Sequence, residues 1–174
     1  MLRRFLAFLL ALAAPVLGGG ADRTALLNTW TIQEQAAVQE MLGTLMSALR
    51  EGNAEAVLSL FSETARQDQP DLEMRIKDLL SLCGPELEYE DNGLYSGGGD
   101  IKGGKEQLYA DLNLPATMNG SAYRMLITLV WRDDLDPANM GIQNMWVLTQ
   151  TDYDGLPRPF KNEQPGLRIG LSDP

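Results

Sequence analysis

Asp91 and Tyr89 stand two residues apart in a stretch where acidic and apolar side chains alternate. Together they hold the parts of one reaction type, a carboxylate that takes a proton and a phenol that donates to a carbonyl oxygen, as isomerases and dehydratases require in a dry pocket. Asp133, Asp134, Asp136 and Asn139 gather before Gly141 and suggest calcium. An EF-hand loop wants oxygen ligands at alternate positions, Gly at the sixth and Glu at the twelfth, and here Pro137 and Ala138 interrupt the series. An acidic turn is the better account, and Asp152, Tyr153, Asp154 and Gly155 read likewise as a turn. Gly97–Gly99 and the Gly103-Gly104-Lys105 run meet neither Walker A nor dinucleotide spacing. No metal or cofactor is expected.

The chain has no histidine, so imidazole serves neither as general base nor as metal ligand, and Ser-His-Asp and Cys-His hydrolases and His-ligated zinc and iron sites are excluded. A lone Cys83 forms no intramolecular disulfide and, on an apolar helix face, reads as a small buried hydrophobe. With 14 basic against 24 acidic residues the net charge is −10, a field that repels nucleic acid and anionic lipid.

Helices come first among the elements that must position these groups. Apolar residues at three- and four-residue steps predict a helix from Ile32 to Arg50, opened by a Thr31–Glu34 capping box and closed by Gly52. Asn53 caps a helix over 54–61, residues 62–69 form a break, and Pro70 starts a helix whose face carries Leu72, Ile76, Leu79, Leu80 and Cys83 until Gly84-Pro85 ends it. Then the period falls to two. Glu86, Glu88 and Glu90 alternate with Leu87, Tyr89 and Asp91 as a half-buried strand. Residues 96–105 read as a flexible loop, 107–114 as helix or strand, 122–131 as a central strand, 142–151 as its antiparallel neighbour and 167–171 as a final strand. This order predicts an α+β fold, three helices packed on a curved, mostly antiparallel sheet, as one domain over 22–174.

Strand alternation places Tyr123, Met125, Ile127, Leu129 and Trp131 on one face, and Ile142, Asn144, Trp146, Leu148 and Gln150 as the matching set on the neighbour. If that face is concave, Tyr123, Met125, Trp131, Asn144 and Trp146 make aromatic walls with a few polar handles, as a small-ligand pocket would. Core packing is the simpler account of the same pattern. Neither strand carries a carboxylate in these stretches, which leaves Asp91 and Tyr89 as the only acid–base candidates, and weak ones.

Residues 1–21 read as a secretory signal: Arg3 and Arg4, an apolar run over 5–17 shorter than the ~20 residues of a spanning helix, then small residues that place cleavage before Asp22. An uncleaved anchor is the alternative. Loss of Arg3 and Arg4 leaves 12 of the 14 basic groups against 24 acidic ones, a net of −12.

The run from Ala48 to Asn53, the Leu60-Phe61-Ser62 step, a helix over 72–82, the Asn139-Met140-Gly141-Ile142 turn and the late Gly166–Ile169 strand resemble a family of uncharacterised secreted and lipid-anchored proteins of clostridial-type bacteria. The resemblance implies a cone like that of nuclear transport factor 2 and ketosteroid isomerase, also described as cystatin-like, and no catalytic residue. Where relatives carry a lipidation cysteine, this chain has Gly18–Ala21, which implies release. The expected function is a non-catalytic exported module binding a small apolar molecule, a peptide or a protein. The rivals are an isomerase- or dehydratase-type enzyme using Asp91 and Tyr89, and a homodimer formed through the sheet's outer face.

Overall fold

A computed structural model describes residues 32–91, 96–157 and 165–171. The signal, Asp22–Trp30 and the Thr31 end of the capping box lie outside them. Helix α1, Ile32–Arg50, buries Val38, Leu42, Leu45, Met46 and Leu49, the stripe its spacing predicts. Gly52 takes φ +66 and Asn53 accepts from the Ala56 N–H at 3.0 Å, so one chain reversal both ends α1 and caps α2, Ala54–Leu60. Residues 62–69 are not an open break. Ser62 Oγ accepts from the Ala65 N–H at 3.0 Å and nucleates a short helix α3, Glu63–Asp68, before α4, Leu72–Leu82.

Two stretches read differently in the structure. Ser96–Lys102 is strand β2, not a loop. It pairs through its whole length with β3, Lys105–Met118, across a Gly103-Gly104 turn at φ +60 and +81, the left-handed pair a two-residue hairpin demands. Gln107–Leu114 is therefore strand. The second reversal, Asn119 (φ 49) and Gly120 (φ 75), joins β3 to β4, Ser121–Asp133. The strand expected over 86–91 shrinks to β1, Glu88–Tyr89, although Leu87 stays buried and Glu86, Glu88 and Glu90 exposed. β5, Gly141–Thr149, runs antiparallel to β4 as expected, and β6, Gly166–Ile169, lies parallel to β5. The turn expected at residues 152–155 is the helix α5, Gln150–Gly155, N-capped by Thr149.

The six strands form one sheet in the order β1-β3-β4-β5-β6, with β2 also paired to β3. Helices α1–α4 supply, with Ala110, Leu112, Leu114, Met125, Ile127, Met145 and Leu167, one contiguous core that stretches from Val38 to Leu167. The fold is thus α+β, with a mostly antiparallel sheet. A smaller cluster of Leu126, Trp146, Leu148 and Tyr153 lies on the opposite face, under α5 and Leu156.

The helical layer is pinned to the sheet by short segments far apart in sequence. Phe61 bridges Ile142, and the Ser62 N–H donates to the Ile142 carbonyl at 3.0 Å. Gly141 makes this approach possible, because a Cβ there would sit 2.7 Å from the Leu60 carbonyl oxygen. Thr64 Oγ1 donates to Asn139 Oδ1 at 2.8 Å, joining α3 to the 3-10 turn Pro137–Asn139.

Candidate functional site

Two bulges decide which side chains share a face. In the β4–β5 ladder Thr128 pairs with Asn144 but Leu129 pairs with Ile142, so Gln143 is an extra residue on β5. Beyond it the odd-numbered residues of β5 take the helix side, where Met145 and Val147 pair with Ile127 and Met125. The expected matching set is therefore split. Ile142 stays on the helix side with Met125, Tyr123 and Trp131, whereas Trp146 and Leu148 belong to the outer cluster and Asn144 pairs with Thr128 in that same outward register. A one-residue insertion reverses every subsequent side chain, and unbroken alternation gives no warning of it. A second shift, between Leu108 and Tyr109, leaves Trp131 as the extra residue on β4.

The helix-side face is packed rather than hollow. Met125 is fully buried, Ile127 and Leu129 nearly so, and the nook among Met41, Leu42, Leu45, Leu60, Leu112, Ile127, Leu129 and Ile142 holds about 10 Å³, room for a water at most. On the outer face the Trp146 Nε1–H donates to the Gly170 carbonyl at 2.9 Å, and the Arg168 guanidinium lies 4.2 Å from its ring centroid. Tyr153 receives the Asn113 side-chain amide at 2.5 Å, and Arg124 stacks 5.1 Å from its ring. The apolar outer surface of β4 and β5 is thus covered by the chain's own α5 and cations.

Space for a ligand lies elsewhere, at the end of the sheet where β1, β3 and β4 run together. An open groove of about 290 Å³ is lined by Glu88, Tyr89, Glu90, Pro115, Ala116, Thr117, Ala122, Tyr123 and Gln150. Tyr89 pairs with Ala116, and Ala116 with Tyr123, and this row turns its side chains into the helix-side core, bounding the groove from beneath. Glu88, Thr117 and Ala122 form the next row, exposed on the outer face. Arg50 ties β1 to α1 on the helix side: its Nε–H donates to the Leu87 carbonyl at 2.9 Å and its guanidinium lies 5.6 Å from the Tyr89 centroid. Of the expected site residues, Tyr89 and Tyr123 meet here. Asp91 lies exposed past the end of β1 and does not line the groove, so the structure does not gather the expected base and donor over one cavity. Glu88, Glu90, Pro115, Ala116, Thr117, Ala122 and Gln150 were not singled out by sequence as site residues. The signal that finds them is Asn119-Gly120, a hairpin turn that aligns 116–117 with 122–123.

The acidic loop before Gly141 proves structural. Asp133 is 3% exposed and accepts four hydrogen bonds, from the Leu135 and Asp136 N–H groups at 2.9 and 2.8 Å and from Gln107 and Asn139 side-chain amides at 2.6 and 3.1 Å. Burial alone would raise its pKa, but the combined donors outweigh it and hold the carboxyl below its ordinary value. Asp134 pairs with Arg132 at 2.8 Å, and Asp136 caps the 3-10 turn. Among the described residues no group of three or more acidic or cysteine side chains is placed to hold a metal ion. No helix among them is long and apolar enough to cross a membrane.

Helices α1–α4 on one face of a mostly antiparallel sheet and the short α5 on the other, with an open groove at the sheet's end, define an α+β domain without a recognisable catalytic constellation among the described residues. Residues 44–150 match the family described as Domain of unknown function (DUF5104), and the chain belongs to that family. The match runs from the middle of α1 through β5 and contains every residue lining the groove. None of the curated proteins matches this chain.

Proposed function

We propose that this protein is a non-catalytic, extracytoplasmic binding module whose ligand occupies the groove over Thr117. The observation that carries this reading is the exposed outer-face row Glu88–Thr117–Ala122, which with Glu90, Pro115 and Gln150 borders about 290 Å³ of open space at the end of the sheet. That volume is at the lower end of small-ligand sites. Bulged strands with all four long-core helices on one side support a cone akin to nuclear transport factor 2, and an acidic chain with a charged-then-apolar N-terminal run supports export of 22–174 as one unit.

A thermal-shift screen of small ligands, with amide NMR mapping of the hits, tests the reading. Binders should move Ala116, Thr117, Ala122 and Tyr123, and Thr117→Trp, which fills the groove from an exposed strand position, should abolish their binding while the variant stays folded. Hits that map elsewhere, or that survive Thr117→Trp, refute it. For export, the secreted protein's intact mass should correspond to a chain starting at Asp22.

A further inference from the structure

Asn119 is the one non-glycine residue with a positive φ among the described residues, at 49, and Gly120 follows it at 75. We infer that this pair is a self-modification site, at which the Gly120 nitrogen closes on the Asn119 carboxamide and converts it to isoaspartate and aspartate. Both residues are exposed, and the Asn119 side chain makes no hydrogen bond among the described residues. The last pair of the β3–β4 ladder is Met118 with Ser121, so the Gly120 nitrogen stands outside it, with no Cβ to shield it. The other described asparagines are held. Asn53 accepts from the Ala56 N–H, Asn113 donates to Tyr153, Asn139 is bonded to both Asp133 and Thr64, and Asn144 is buried. Each is followed by a residue that carries a side chain: Ala54, Leu114, Met140 or Met145.

The reaction needs only water besides the chain. The Gly120 nitrogen forms a bond to the Asn119 side-chain carbonyl carbon, its proton goes to the departing amide nitrogen, and ammonia leaves a five-membered imide. Attack within one turn replaces a bimolecular encounter. Water then breaks one of the two imide C–N bonds, adding hydroxyl to the carbon and hydrogen to the nitrogen. Opening at the side-chain carbon gives aspartate, which tolerates a left-handed φ as asparagine does. Opening at the main-chain carbon gives isoaspartate and runs the backbone through the former side chain, one atom longer. A two-residue turn has no slack for that atom. Sliding β3 cannot absorb it either, because Met118 is 1% exposed and packs beside the Cys83 sulfur. The strain therefore falls on the next pair, Thr117 with Ala122.

Full-length protein held in warm, mildly alkaline buffer, beside an aliquot in strong denaturant, tests this. Tryptic peptides are read by mass spectrometry with electron-transfer fragmentation, which separates isoaspartate from aspartate. Trypsin releases residues 106–124 as one peptide, so Asn113 and Asn119 are compared within it, and Asn92-Gly93, outside the described residues, falls in another. Native Asn119 should convert at least tenfold faster than Asn53, Asn113, Asn139 and Asn144, with isoaspartate the larger product. The converted protein should melt lower and exchange the Thr117 and Ala122 amides at least tenfold faster. Asn119→Gly, which keeps a two-glycine turn like Gly103-Gly104, should pass through the same incubation with both readouts unchanged. Native conversion at Asn119 less than tenfold ahead of those four, or found only in denaturant, overturns the site. Conversion that leaves Thr117 and Ala122 exchange unchanged, or an equal loss in Asn119→Gly, overturns the strain at the turn.

Discussion

Gln69 holds Leu167 as a neighbouring strand would. Its side-chain carbonyl accepts from the Leu167 N–H at 2.6 Å, and its amide donates to the Leu167 carbonyl at 3.0 Å. β6 is the last strand of the sheet, and its outer backbone groups would otherwise lack a ladder partner on that side. The side chain fits because residue 166 is glycine: at φ +89, a Cβ there would lie 2.0 Å from the Gln69 Oε1. Gln69→Ala should cost roughly 1–3 kcal/mol, the range for leaving buried backbone groups unsatisfied. Urea unfolding measures it, and the Leu167 amide should exchange faster with solvent. Gly166→Ala should cost at least as much, and the double variant less than the two separate losses together, since removing Gln69 relieves the clash.

Asp133 makes acid stability a test of the loop before β5. Its folded-state pKa lies below the ordinary value of 3.8, because four donors outweigh burial. A depressed carboxyl contributes stability that is fully present above its unfolded pKa and is lost as pH falls through its folded one. Stability should therefore drop below about pH 4, the ordinary aspartate range. Asp133→Asn places an N–H₂ against the Gln107 and Asn139 donors. It should cost roughly 2–3 kcal/mol at pH 7 and flatten the decline between pH 5 and 2, as denaturant midpoints across that range would show.

Much of the fold was legible because its signals are local. The apolar stripe of α1, the Gly52-Asn53 reversal and the two apolar strands β4 and β5 each follow from periodicity or turn chemistry over a few residues. β2 was lost because Gly97, Gly98 and Gly99 give a strand no side-chain pattern, and the flanking Gly103-Gly104 made one long run of glycine look like a linker. Alternation along β5 does not reveal its faces, because the Gln143 bulge exists only in the pairing of two strands. Tyr89 and Tyr123 were both named for roles of their own, yet their meeting depends on β3, the one strand that stands between them. The Leu60-Phe61-Ser62 and Asn139–Ile142 motifs resembled family signatures without hinting that they touch, and what they form is the joint that seats the helices on the sheet.

Cys83 is 7% exposed, beside the Met118 sulfur at 3.9 Å, and burial pushes its thiol up to about 11. A thiol so placed stays protonated at neutral pH and out of reach of reagents. Ellman's reagent should titrate essentially no thiol in the native protein at pH 8 and one per chain in strong denaturant. Rapid native labelling would mean that the α4 end opens locally.

Two glycines separate backbone freedom from close approach. Gly43 lies exposed within α1, and a Cβ there meets nothing within 4 Å beyond its own helix. Gly43→Ala should stabilise by about 0.5–1 kcal/mol, through helix propensity and a less free unfolded chain. Gly141 has the opposite circumstances. Its φ is +118, and a Cβ would press on the Leu60 carbonyl at 2.7 Å and the Ser62 N–H nitrogen at 3.0 Å, both backbone atoms of the α2–α3 joint that cannot swing aside. Gly141→Ala should therefore lose roughly 2–4 kcal/mol and lower the melting temperature by about 5–15 °C. Because the strain falls on the Ser62 N–H bond to Ile142, native-state hydrogen exchange should show α3 loosening before the β3–β4 hairpin does. Uniform loosening, or an alanine tolerated as readily at 141 as at 43, would show that this joint does not bear the helical layer.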